Sequence, residues 1–288
     1  MADYNFDQHI NFRRESVSKA NINNPSFPGL SVVEINPTEL CNRTCSFCPR
    51  SNPEVYPNLN LHMSLGTAQK ISDQLFEYGY DGQVSITGFG EPTLNKLILE
   101  LIKIFSQRFR TSMITNGDNI LSGKVPISSI IESGLSILIV DCYDGDKHYS
   151  KIYELLLPYK DKIDYKIRNT FDDGSSTVFS DLNFNNRGGI LGEVESLTKP
   201  CHLPMYKAMI DWNGDVLLCC NDWSRKEKGL GNINREHFQK LWVSTRLNSI
   251  RKSLIKGRRK DIAACKGCDV EGTLVGKESL EIFKNKLS

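Results

Sequence analysis

Seven of the nine cysteines of this 288-residue chain fall into two separated groups, and no other feature restricts its folding so much. Cys41, Cys45 and Cys48 lie in one short stretch, CNRTCSFCPR. Cys201, Cys219, Cys265 and Cys268 lie in the last third, and Cys142 and Cys220 stand outside both sets. A set of thiols is useful only if its members converge, so the fold must gather residues that are far apart in sequence. The N-terminal stretch MADYNFDQHINFRRES has no apolar run, so neither a signal peptide nor an anchor is expected. No segment approaches the ~18 uncharged apolar residues that cross a bilayer. The expectation is a cytoplasmic protein whose reduced thiols serve as metal or catalytic ligands rather than disulfides. A net charge of +2 offers nothing to a nucleic acid or an anionic membrane, and the basic run KGRRK at 256–260 reads as a solvated helix end. With 39% hydrophobic and 24% charged residues, the chain can bury a packed core.

Residues 1–30 are polar and read as an extension wrapped over the main body. From residue 31 short β-branched runs alternate with amphipathic helices. Strands are predicted at 31–36, 83–87, 111–115, 136–141 and 164–169. Helices are predicted from a Ser64 cap through Tyr78, at 94–109, at 126–133 and at 148–159. Such alternation specifies a parallel sheet with outer helices, and a curved, incomplete barrel is preferred to a flat sheet. In barrels function gathers at the C-terminal strand ends. The cysteine loop, the turn GFGEP at 88–92, Asn116 and Gly117, and Asp141 with Cys142 all fall there. The Gly-, Ser- and Asn-rich stretch 172–199 reads as a long functional loop. Beyond it, strands at 207–212 and 215–219 flank Asn213 and Gly214, a strong hairpin signal. One helix is then predicted from an Asn234 cap to a Gly257 stop.

As chemistry, the first group has two readings. One is a zinc knuckle whose fourth ligand is distant, such as His62 or another cysteine. The other is a [4Fe–4S] cluster with three thiolate-bound irons and one open iron. The second group supplies four thiolates, suited to structural zinc or to a fully ligated cluster. Cys219 is the better ligand of the adjacent pair, because neighbouring strand residues face opposite ways. Cys220 is then a spare buried thiol.

The C-x3-C-x2-C spacing, with Phe47 before its last cysteine, resembles the radical S-adenosylmethionine enzymes. GFGEP resembles that family's Gly-Gly-Glu-Pro motif, with Phe89 and Gly90 a slight departure, and ITNG at 114–117 resembles its Thr-Asn-Gly. The resemblance covers residues 31–170. It implies an α/β fold, a partial (β/α)6 TIM-like barrel, in which Cys41, Cys45 and Cys48 bind one [4Fe–4S] cluster. The open iron would bind S-adenosyl-L-methionine, whose reductive cleavage gives a 5′-deoxyadenosyl radical. Phe47, Gly88, Gly90, Glu91, Pro92, Thr115 and Asn116 would form its surroundings, Glu91 holding the turn or accepting from the methionine ammonium. The order of cysteine, hairpin, cysteine, helix and C-x2-C resembles the family's twitch domain, a shortened SPASM domain. That implies a small C-terminal α+β domain with a second [4Fe–4S] cluster on Cys201, Cys219, Cys265 and Cys268. The expected divisions are 1–30, 31–195 and 196–288.

NRGGIL at 186–191 is similar to a loop in family members that dehydrogenate an aminocyclitol. Arg187 reads either as a surface turn residue or, through that similarity, as a contact to substrate oxygen. Cys142 reads either as a small buried hydrophobe or as a hydrogen-atom donor at the barrel mouth. Asp141, Tyr143 and His148 share its neighbourhood. The resemblance implies an oxidoreductase acting on a carbinol carbon of a sugar or aminocyclitol, with the auxiliary cluster accepting an electron. It also implies an electron donor such as a flavodoxin or ferredoxin. The alternatives are an epimerase of a sugar or peptide, with Cys142 or Cys220 donating hydrogen, and a zinc-binding module that is no enzyme.

Overall fold

The computed structural model describes residues 6–169 and 185–287. Of the predicted loop at 172–199, the part up to 184 lies outside the described residues, as do residues 1–5 of the extension. Helix α1 (Phe6–Ser18) precedes strand β1 (Val32–Ile35). Then follow α2 (Leu65–Glu77), β2 (Gln83–Ile86), α3 (Ile98–Ser106), β3 (Arg110–Thr115), α4 (Asp118–Leu121), α5 (Ile127–Glu132), β4 (Ile137–Cys142), α6 (Gly145–Leu156) and β5 (Asp164–Asn169). The C-terminal part adds α7 (Leu203–Tyr206), β6 (Lys207–Ile210), β7 (Val216–Leu217), α8 (Phe238–Trp242), α9 (Thr245–Ile255) and α10 (Lys277–Leu287).

The strands form one seven-stranded sheet in the order β5-β4-β3-β2-β1-β6-β7. The first six are parallel and β7 returns antiparallel to β6. Consecutive parallel neighbours joined through helices are the arrangement of a (β/α) barrel left open. The hairpin beyond residue 200 continues this sheet, with Val32 of β1 opposite Lys207 of β6. No helix among the described residues is long and apolar enough to cross a membrane.

Strand alternation sorts the side chains into two environments. Val33, Ile35, Val84, Ile86, Leu138 and Val140 join the helices' Ile71, Leu75, Ile102 and Phe105 in the main core. The other face carries Glu34, Ser85, Ser112 and Asp141 and looks into a cavity. Helix α1 enters on that face. Its Phe12 packs on Ile137 and Ile139, and its Ser16 Oγ donates to Gln83 Oε1 at 2.8 Å. Gln83 Nε2 in turn donates to Ser112 Oγ at 2.7 Å. A polar sheet face requires partners for its buried groups, and α1 supplies one of them through Ser16. The N-terminal extension is therefore partly an interior element, where the sequence suggested an outer wrap.

Two helix boundaries differ from expectation for local reasons. Helix α3 starts at Ile98 because Asn95 turns its Nδ2 to Pro37 O at 2.9 Å and its Oδ1 to Leu97 N. The single helix expected over 234–257 is two. Ser244 adopts extended backbone and accepts from Leu247 N, so it caps α9 and ends the continuity with α8. Asn234 stays outside, donating to Asn213 O at 3.1 Å.

Trp242, 2% exposed, binds the N-terminal segment to this pair of helices by donating from Nε1 to Pro28 O at 3.0 Å. The Arg251 guanidinium lies 4.0 Å from the ring centroids of both Trp242 and Phe283. Burial pushes the Arg251 pKa down, and backbone carbonyls of Pro204 and Trp242 accept its protons. Removing the indole empties a packed site and strands Pro28 O. Trp242→Ala is expected to cost about 3–5 kcal/mol, read as a shifted urea midpoint of the cluster-loaded protein by circular dichroism.

Candidate active site

The cysteine loop leaves β1 through Asn36 and is held by a buried charged network. Asn36 Nδ2 donates to Glu39 Oε1 and to Asp211 Oδ1, both at 2.7 Å. Glu39 Oε2 accepts from Tyr56 Oη at 2.7 Å and from Arg50 at 3.3 Å. Arg225 reaches Asp211, Tyr56 and Glu39 at 2.7, 2.7 and 2.5 Å. Arg50 Nε donates to Phe89 O at 2.8 Å, and Asn36 Oδ1 accepts from Phe89 N at 3.1 Å. The network thus joins the cysteine loop, the GFGEP turn and the C-terminal part. The glycines of that turn are places of close approach. A Cβ at Gly90 would lie 2.3 Å from Thr38 O, and one at Gly88 would lie 2.4 Å from Asn36 Oδ1. Glu91 N donates to Leu40 O at 2.8 Å, so turn and loop are laced together.

Glu91 ties the turn to the end of β3. Its carboxylate accepts from Thr93 N (3.0 Å), Thr93 Oγ1 (2.7 Å), Thr115 Oγ1 (2.6 Å) and Asn116 N (2.8 Å). Burial pushes its pKa up, and these four donors pull against that shift. Asn116 Nδ2 continues to Asn42 Oδ1 at 2.8 Å, inside the cysteine loop. Arg43, also within that loop, forms two-pronged bonds to Asp118 and Asp144 at 2.6–2.8 Å. These carboxylates follow β3 and β4, so Arg43 fastens the loop across two strand ends. The Phe47 ring lies 5.6 Å from that of Tyr143. His62 is not available as a zinc ligand, because its ring nitrogens bond Thr38 Oγ1 at 2.9 Å and Asn60 Oδ1 at 2.7 Å.

All these parts border one cavity of about 480 Å³. Cys41, Cys45 and Cys48 line it, as do Phe47, Gly88, Gly90, Glu91, Thr115 and Asn116. Pro92 does not; it is buried and starts the short helical turn behind Glu91. Asp141 and Tyr143 face the cavity, whereas His148 lies behind it near Asp118 and Asp144. The floor holds two buried pairs, Lys207 with Glu34 at 2.8 Å and Arg168 with Asp141.

Cys201, Cys219, Cys265 and Cys268 come together behind the cavity. Burial raises the pKa of each; neighbouring thiols of the set add to the rise at Cys201, Cys219 and Cys265, and Asp269 adds to it at Cys268. Backbone N–H groups point at the sulfurs, Leu203 at Cys201, Gly188 and Val270 at Cys268, and Arg43 at Cys41 in the first group. Gly272 is required beside Cys201, because a Cβ there would lie 2.4 Å from its Sγ. Buried, neighbouring thiols with N–H donors on sulfur ionise when a cation compensates them, and such a donor set suits an iron–sulfur centre or a structural zinc. The NRGGIL loop is bound to these ligands. Asn186 N donates to Asp269 at 2.9 Å, and Asn186 Nδ2 to Gly267 O at 2.6 Å. Arg187 has φ 51°, a left-handed conformation rare for a side-chain-bearing residue. It lines the cavity with its Nε buried and, among the described residues, unbonded.

Two thiols change places relative to expectation. Cys142 sits in the hydrophobic core at 0% exposure, its pKa pushed up to about 12 chiefly by burial, and does not reach the cavity. The cause is strand parity: Asp141 faces the cavity, so Cys142 faces the helices. Cys142 has the surroundings of a small buried hydrophobe and is not among the residues that line the cavity. Cys220, expected to be a spare thiol, lines the cavity beside Glu34, its pKa pushed up to about 11 by burial and that carboxylate. Sequence reasoning also missed Arg43, Glu39, Arg50 and Arg225. Their partners are 75–186 positions away or in unremarkable loop residues.

Residues 201–269 match the SPASM family, an iron–sulfur cluster-binding domain. Over 247 residues the chain is 29% identical to the S-adenosyl-L-methionine-dependent 2-deoxy-scyllo-inosamine dehydrogenase of Niallia circulans, covering 83% of this chain and 92% of that one. The structure is similar to BtrN in complex with AdoMet and 2-DOIA, with a TM-score of 0.71, 28% identity, and 86% and 96% of the two chains covered. It also shares its fold with BtrN in an open conformation, at a TM-score of 0.61, 23% identity, and 88% and 97% covered. Three cysteines at a strand end, two glycine turns laced to them and a second cysteine set in a SPASM-type domain are the features on which the chain is similar, over most of its length, to radical S-adenosylmethionine enzymes with a C-terminal iron–sulfur domain.

Proposed function

We propose that the protein oxidises a carbinol carbon of a sugar or aminocyclitol: a hydrogen atom leaves the carbon, the hydroxyl proton passes to solvent, and the remaining electron goes to a cluster that the C-terminal cysteine set would hold. The observation that carries this reading is the shared cavity, whose wall includes Cys41, Cys45 and Cys48 together with Arg187, one residue from the N–H donor to Cys268. When bound, a [4Fe–4S] cluster on the first set with S-adenosyl-L-methionine supplies a radical that abstracts hydrogen, and a second cluster on the other set supplies an electron acceptor.

The residues of the chain do the positioning. Glu91, Thr115 and Asn116 fix the edge against which the methionine end would lie, and Phe47 gives it an apolar wall. Arg187 would donate to the substrate oxygen as that oxygen gains negative charge. Its left-handed backbone costs of order 1 kcal/mol and persists because Asn186 and Gly188 are anchored on either side. A flavodoxin or ferredoxin would supply the reducing electron, in the cytoplasmic setting that free thiols need.

A second reading, epimerisation, is favoured by one observation: Cys220 puts a protonated thiol on the cavity wall. An epimerase would give a mass-neutral product carrying one solvent deuterium, and Cys220→Ala would abolish that uptake while Cys142→Ala would leave it. A product two hydrogens lighter, with no deuterium, supports the dehydrogenase.

Anaerobically reconstituted protein should hold about eight irons under the two-cluster reading. Cys41→Ala should lose S-adenosyl-L-methionine cleavage by dithionite-reduced protein. Cys265→Ala should retain cleavage but form no oxidised product. Two zincs and no iron would end the proposal.

Arg187→Gln is expected to lower kcat by about 10²–10³-fold with a smaller change in KM, as for loss of a donor to a developing oxyanion. Arg187→Lys should rescue it poorly, because a lysine lacks the planar fork. An unchanged kcat in both variants would remove Arg187 from the reaction.

A further inference from the structure

The floor of the cavity is built partly by α1, and its charges do not balance. Arg13, Lys207 and Arg168 are its cations, and Glu34 and Asp141 its carboxylates. Lys207 takes Glu34 and Arg168 takes Asp141. Arg13 is left, among the described residues, with no carboxylate partner. Its one hydrogen bond there runs from Nη2 to Tyr206 Oη at 2.7 Å. His9, one helical turn before it, is held down at about 2 by burial and by Arg168, Arg13 and Lys207, so it adds no charge but registers the positive field. Glu34 Oε2, buried at the same floor, meets no nitrogen or oxygen donor among the described residues and has the Cys220 thiol beside it.

A structural role alone does not explain this arrangement. Pinning α1 to Tyr206 needs one donor, which a neutral side chain would supply without desolvating a guanidinium. Arg13 lines the cavity, and a guanidinium carries the planar fork of donors that receives an oxyanion. Among the described residues the excess of one positive charge matches one carboxylate, and Glu34 Oε2, met only by a weakly donating thiol, matches a hydroxyl donor beside it.

We propose that α1 is part of the substrate site and that Arg13 binds a carboxylate carried by the polyhydroxylated substrate, with Glu34 Oε2 accepting from a neighbouring hydroxyl. The proposal rests on the cavity being the substrate site of the oxidoreductase described above. It makes the substrate a sugar acid or cyclitol acid, and it makes the N-terminal helix the element that selects it.

The test compares matched acid and neutral probes by calorimetric titration of the full-length, cluster-loaded protein with S-adenosyl-L-methionine present. D-glucuronate is set against D-glucose and D-glucosamine, and quinate against myo-inositol. In the wild type at least one acid should bind about tenfold or more tightly than its neutral counterpart. Arg13→Gln should reduce that ratio to near unity, and Arg13→Lys should retain part of it. Because the readout is a ratio within one protein, a general loosening of α1 does not imitate it. Absence of any acid preference, including absence of binding by either acid, overturns the proposal, as does a preference unchanged in Arg13→Gln. S-adenosyl-L-methionine cleavage under dithionite is measured alongside. If cleavage occurs without acid preference, the selection by Arg13 fails alone; if cleavage fails, the enzymatic reading fails with it.

Discussion

The site depends on a buried set of four charges, Glu39 and Asp211 against Arg50 and Arg225, joined through Asn36 and Tyr56. Glu39, Arg50 and Asp211 are each at most 3% exposed. Buried ion pairs seldom add net stability over packed apolar residues, since desolvation offsets the attraction. Breaking one from a single side is costly, about 3–5 kcal/mol, because the partner is left charged and dry. That asymmetry makes such a network a geometric device. It tolerates one arrangement of the cysteine loop, the GFGEP turn and the segment after β6, and penalises others.

Arg43 extends the same logic to the outer edge of the loop. Its two carboxylate partners follow β3 and β4, so the loop that presents three thiols is anchored both at the network and across neighbouring strand ends. Thiols that bind a cluster must be held with one position left open for a second ligand. A loop fastened on one side only would be free to fold a fourth donor over that position.

Much of this was legible in the sequence where the signal was local. The five strands, the cysteine loop at a strand end and the hairpin at Asn213 and Gly214 are visible because periodicity and turn chemistry act over a few residues. The charged network was not, since Glu39 and Arg225 are 186 positions apart and nothing near either distinguishes it from a surface charge. Strand parity was available at β4 as it was at Cys219 and Cys220. Applied to Asp141, it assigns Cys142 to the core. The break between α8 and α9 escaped because apolar spacing runs on through Ser244, while the cap that decides the matter is one hydroxyl. Helix α1 escaped for the opposite reason. Its residues are polar because the sheet face that receives them is polar, so it shows no apolar stripe.

That last point bears on how such a barrel acquires a substrate. The inward sheet face offers Glu34, Ser85, Ser112 and Asp141, a polar surface that an open barrel would leave to water. Water there would compete with substrate hydroxyls and would quench or divert radical chemistry. Filling the space with helix α1 excludes that water and sets the depth of the cavity. It also brings new side chains to the floor without altering a strand. The cysteine loops and glycine turns are confined by their mutual contacts, since a single Cβ at Gly90 would clash with the loop backbone. Helix α1 meets the sheet through side chains alone. Substitution there changes what the floor can recognise while leaving the radical-generating edge as it is, which makes the N-terminal helix the part of this architecture freest to set specificity.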